Sequence, residues 1–181
     1  MTRTAKLVIV GTIVVVLGAV GAWLWMRRGA GGSVRADAGR LVVEWRGSFR
    51  GQMELPARLN WCPVTRVGFL EAISGDSGVA VVLYERNTLT AGAHTVLSSE
   101  LAATAPRPVA AAAMRWVRLG RDTALAGFRA TSGTVRVTLV PGKISGILDA
   151  RMHSVSGTDS LVVRADFRGV PVVTTAVGCG S

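Results

Sequence analysis

Residues 133–172 read GTVRVTLVPGKISGILDARMHSVSGTDSLVVRADFRGVPV, and this stretch decides the fold class. Val135, Val137 and Leu139 fall on one side of an extended chain, Thr134, Arg136 and Thr138 on the other. Pro141-Gly142 then supplies a turn, the proline fixing φ and the glycine accepting a positive one. On the next segment Ile144, Leu148, Ala150 and Met152 share a side, with Asp149 and Arg151 opposite. After Ser156-Gly157, Leu161, Val163, Ala165 and Phe167 oppose Arg164, Asp166 and Arg168. Pairing Val140 with Lys143, and Ser154 with Asp159, brings all three apolar sets onto one face. The same register sets Asp149 beside Arg164 and Gly146 beside Phe167. Because side chains alternate with period two, a slip of one residue would turn every apolar side chain to water, so this agreement predicts an antiparallel meander with one buried face.

Working outward, the same alternation recurs. Leu41, Val43 and Trp45 alternate with Val42, Glu44 and Arg46, and Met53, Leu55, Ala57 and Leu59 with a more polar set broken by Pro56. Val67–Ile73 and Val79–Glu85 flank the turn-rich Ser74-Gly75-Asp76-Ser77-Gly78, and 88–100 reads as loop with one short strand. The run VAAAAMRWVRL (109–119) has helical alanines, yet Arg-Trp-Val-Arg-Leu suits a strand, and strand is the reading taken here. With a strand over 123–129, the count reaches seven to nine. The expected fold is an all-β, antiparallel β-sandwich or partly closed barrel over residues 40–181.

The N-terminus is a different solvent problem. Residues 7–26, LVIVGTIVVVLGAVGAWLWM, carry no charge over about 30 Å of helix, the thickness of a bilayer's hydrocarbon. A cleaved signal peptide would have a shorter apolar stretch and a small-x-small site. Here the run closes on Trp23, Trp25, Arg27 and Arg28, an aromatic belt and a basic clamp for the membrane interface. The expected order is a basic tail (1–6), one transmembrane anchor (7–26), a flexible Gly-rich tether (27–39) and the β domain. Arginines after the span would, by the positive-inside rule, hold that domain in the cytoplasm. A short basic tail before an apolar span is instead the form of an uncleaved export signal, and the reading taken here is extracytoplasmic, on the periplasmic side.

The chain of 181 residues holds 21 Lys+Arg against 11 Asp+Glu, a net charge of +10, with 49% hydrophobic residues. This is too apolar for a disordered chain. Arginines spread over strand exteriors predict solvated faces; no aromatic-basic platform for nucleic acid is visible, and contact with anionic lipid headgroups is expected at Arg27 and Arg28. Gly75-Asp76-Ser77-Gly78 spells the GDSG of chymotrypsin-like proteases, but that order needs its histidine before the serine, and His94 and His153 both follow it. The motif is expected to be a turn, and both histidines surface residues. Asp149, Asp159 and Asp166 are expected to partner nearby arginines. Neither an active site nor a cofactor or metal site is expected. Cys62 and Cys179, the two cysteines of the chain, are expected to form a disulfide if the domain is exported.

Gly142-Lys-Ile-Ser-Gly146-Ile-Leu, Asp159-Ser-Leu-Val-Val and Phe167-Arg-Gly-Val-Pro171-Val resemble the closing strands of uncharacterised bacterial envelope β-sandwich proteins. The resemblance implies a secreted or anchored β domain without a known reaction, and carries over no catalytic residue. The expected function is a non-enzymatic, membrane-anchored cell-envelope protein with a binding or structural role toward an unidentified envelope partner. The alternative is a lipocalin-like carrier of a small ligand or lipid, with a cavity inside a barrel.

Overall fold

A computed structural model describes residues 38–118, 124–175 and 179. The anchor, its interface residues Trp23, Trp25, Arg27 and Arg28, and most of the tether lie outside the described residues. Among the described residues no helix is long and apolar enough to cross a membrane.

The domain is all-β. Its strands are β1 (Gly39–Gly47), β2 (Gly51–Cys62), β3 (Val67–Ser74), β4 (Ser77–Tyr84), β5 (Gly92–Val96), β6 (Val109–Arg118), β7 (Ala124–Val140), β8 (Lys143–Ser154) and β9 (Ser160–Thr174), with one short helix, α1 (Ser99–Thr104), before β6. The walls expected from the sequence are one continuous sheet, ordered β1-β2-β3-β4-β6-β5-β7-β8-β9 and closed into a ring by β1 pairing with β9. Below the start of β1, β2 and β9 touch directly, Leu59 to Trp61 running parallel to Val172 to Thr174. Closure matters physically, because it leaves no edge with unpaired backbone groups.

The meander has the register read from the sequence. Val140 pairs with Lys143, Asp149 with Arg164 and Gly146 with Phe167, and the Ser154 N–H donates to the Asp159 carbonyl at 2.9 Å. Val135, Leu148, Val163 and Phe167 are buried, while Arg136, Asp149, Arg151 and Arg164 are exposed. Leu139 departs from its set: it is 37% exposed at the barrel rim, next to the Pro141-Gly142 turn.

Two further expectations change. Residues 123–129 and 133–140 were expected as separate strands; they are one 17-residue strand, β7. An extra residue at Thr131 bulges the strand between Ala130 and Ser132, so a turn-like Thr-Ser-Gly run bends the wall without ending it. At Gly133 (φ 149°) a Cβ would stand 2.2 Å from the Asp149 carbonyl oxygen, so the bend needs glycine. The alanine run of β6 is a strand, as read. Ala110 and Ala112 point into the core, while Ala111 packs outside with Ala102 of α1, and small side chains let both faces be covered. Burial on both sides overrides helix propensity here.

Candidate functional site

Inward side chains from the strands form one contiguous apolar cluster, from Leu41, Val43 and Leu59 through Leu70, Val81 and Leu83 to Leu148, Val163 and Phe167. One end is stoppered by aromatics. Trp45 and Trp116 lie 4.9 Å apart centre to centre, Phe128 stacks on Trp116 at 5.2 Å, and Phe49 meets Trp116 edge-on at 6.3 Å. The Trp45 Nε1 is buried without a hydrogen-bond partner among the described residues.

The other end holds a buried polar pair. His94 and Glu85 are each 1% exposed, with His94 Nε2 2.8 Å from Glu85 Oε1. Thr90 adds its backbone N–H (3.1 Å) and its hydroxyl (2.8 Å) to the same carboxylate. His94, expected at the surface, is instead the buried core partner of Glu85. The signal was present in the period-two pattern: Val79, Val81 and Leu83 face inward, and Glu85 continues that face. His94 shares its side of β5 with the fully buried Val96. His153 is exposed, as read.

Burial pushes the Glu85 carboxyl up, but hydrogen bonds from His94 and Thr90 outweigh it and hold the group below the ordinary 4.5. An ionised carboxylate only accepts, so the Nε2 proton lies on His94. His94 Nδ1 has no hydrogen-bond partner among the described residues. Sealed from solvent, the pair fastens β5 and the 85–91 loop over the barrel end and presents no accessible base. A carboxyl with a lowered folded value stabilises the fold above 4.5, and that contribution is lost as pH falls through the folded value. Glu85→Gln is expected to cost about 1–3 kcal/mol at neutral pH, by leaving buried donors badly matched. The gap from the parent should shrink below pH 4.5 in denaturant titrations. A gap that stays constant, or widens, as pH falls would mean that folding does not hold the Glu85 carboxyl below its ordinary value.

Around this pair, arginines lace three loops together. Arg107 donates to the carbonyls of Thr65 (3.0 Å) and Glu85 (3.1 Å), and Arg66 to that of Arg86 (2.9 Å). Arg86 in turn donates to the Arg107 carbonyl. The Glu85 N–H donates to the Arg66 carbonyl at 2.9 Å, and the Arg107 guanidinium lies 5.8 Å from the Tyr84 ring centre.

Cys62 and Cys179 are joined, their Cα atoms 5.6 Å apart, which ties the end of the chain to the end of β2. Gly75-Asp76 is a two-residue turn between β3 and β4, Ser74 facing Ser77 across it, with φ 58° at Gly75. The His94 Nε2 is committed to Glu85, so no serine–histidine pair assembles there. Asp149 pairs with Arg164 (3.3 Å) and Asp166 with Arg168 (2.6 Å), the hydrogen bond from Arg168 holding the Asp166 carboxyl below its usual range. Asp159, expected to behave likewise, has no ion-pair partner among the described residues; it sits in the β8–β9 turn, where its carbonyl takes the Ser154 N–H. Among the described residues no three His, Cys, Asp or Glu groups gather as a metal site.

Among the described residues, two open grooves lie on the outside of the wall. A groove of about 370 Å³ runs over Phe69, Ile73, Ala80 and Ala113, and a cleft of about 450 Å³ lies beside the disulfide over Asn60, Val67 and Phe69. No protein-family model, curated protein or solved structure matches the chain.

Proposed function

We propose that this chain is a non-enzymatic, membrane-anchored β protein of the bacterial cell envelope, with a binding or structural role and its β domain on the extracytoplasmic side. The observation that carries the reading is the barrel interior: inward side chains fill it as one packed cluster, capped by aromatics at one end and the Glu85–His94 pair at the other. A packed interior favours a domain that acts through its outer surface over a carrier that encloses a ligand, because an enclosed lipid needs a cavity of its own volume. The uncharged run at 7–26, closed by Trp23, Trp25, Arg27 and Arg28, supports the anchor. The joined Cys62 and Cys179 support an oxidising compartment, where such bridges persist.

Mature protein recovered from bacterial membranes should retain residues 7–26 by mass spectrometry, and protease added outside spheroplasts should digest the β domain. An N-terminus between Ala30 and Asp37 would overturn the anchor, and full protection of the domain would overturn its placement.

A further inference from the structure

We propose that Arg66, Arg86 and Arg107 form a binding site for a phosphate-type oxyanion at the barrel end closed by Glu85 and His94. The site gives the binding role proposed above its ligand class and rests on that reading.

The three arginines come from separate loops, after β2, after β4 and before β6, and each is positioned by backbone carbonyls instead of by an acid. This sets them apart from Arg40, Arg58, Arg129, Arg164 and Arg168, whose guanidiniums each meet a carboxylate. The carboxylate that belongs to this neighbourhood, Glu85, is turned into the core and spent on His94 and Thr90. Three positive charges are thus held together with no ion-pair partner among the described residues. A solvated face would let such charges spread; here carbonyl bonds, and the Tyr84 ring under Arg107, keep them together.

Each guanidinium offers five N–H donors in a rigid fork, and the carbonyls use one or two of them. Arg66 and Arg86 are exposed, so their remaining donors face solvent. Arg66 is also the one non-glycine among the described residues with positive φ (59°), a conformation that glycine or asparagine adopts more easily. From there its side chain reaches the Arg86 carbonyl. Several forks carried on loops that these bonds interlock suit an ion with three or four acceptor oxygens and more than one charge, the chemistry of a phosphate group.

The full chain in phosphatidylcholine nanodiscs is titrated with inorganic phosphate at constant ionic strength, and its flotation with phosphatidylcholine vesicles is measured with and without phosphatidic acid. Saturable binding is expected in at least one arm. Binding of inorganic phosphate identifies a free phosphate ligand, and binding of the doped vesicles alone a lipid headgroup. Arg66→Gln/Arg86→Gln should weaken it about tenfold, the loss of two charge-assisted contacts. Arg136→Gln/Arg151→Gln, which removes equal charge from the β7–β8 wall, should change it less than about twofold. No binding in either arm, or equal loss in both double variants, overturns the site. If Arg66→Gln/Arg86→Gln does not fold, Arg66→Lys/Arg86→Lys keeps the charge without the fork and should still lose several-fold; full affinity there overturns forked recognition. The N-terminal mass and thiol state of the same sample separate the two readings: a retained anchor and no free thiol, without anion binding, removes this inference alone.

Discussion

Replacing Cys62 and Cys179 together by serine is expected to lower the stability of the bridged chain by about 4–5 kcal/mol. The bridge spans 117 positions, so it removes from the unfolded chain the freedom of the end of β2 and the C-terminal tail to separate. It also acts where the ring is least supported by β1. There β2 and β9 pair directly over Leu59 to Trp61, and the Thr175 N–H reaches the Trp61 carbonyl at 3.0 Å. Denaturant titration with and without reductant checks this: the reduced parent should match the double variant, and the oxidised parent should unfold at clearly higher denaturant. Thiol titration under denaturing, non-reducing conditions should find no free thiol. Two free thiols, or midpoints indifferent to reductant, would remove the bridge and with it a main support for an oxidising compartment.

Phe167→Ala is expected to cost about 3–5 kcal/mol, and Arg151→Ala less than about 0.5 kcal/mol. Phe167 is 1% exposed, and its ring lies over Gly146, where a Cβ would stand 2.5 Å from the ring's Cζ. Truncating the ring opens a hole that the closed wall cannot collapse to fill, because each neighbouring strand is hydrogen-bonded on both sides. Arg151 projects from the outer face of β8 and has no ion-pair partner among the described residues. Comparable losses for the two variants would show that the outer face packs on something and is not solvated.

The arrangement of the last three strands was legible because several weak signals had to agree. Each hairpin turn sets a register, and each register either aligns the apolar side chains of neighbouring strands or opposes them. The β6 segment was harder, since its alanines fit a helix, and only α1 lying on Ala111 explains why both its faces are small. His94 was misread by its neighbours in sequence, Ala-Gly-Ala, which look like a loop.

By itself the sequence determined the all-β class, the strand faces of the meander, the GDSG turn and the single pair of cysteines available for a bridge, because period-two alternation and turn chemistry are local properties of the chain. Tertiary structure alone decided that the sheet closes into a ring, that β5 inserts between β6 and β7, and that β7 bends through Thr131 without ending. It alone also brought Glu85 to His94 and gathered Arg66, Arg86 and Arg107. Those features depend on which distant strands and loops become neighbours, and a closed sheet settles that by satisfying every edge at once, a condition that no local stretch of residues expresses.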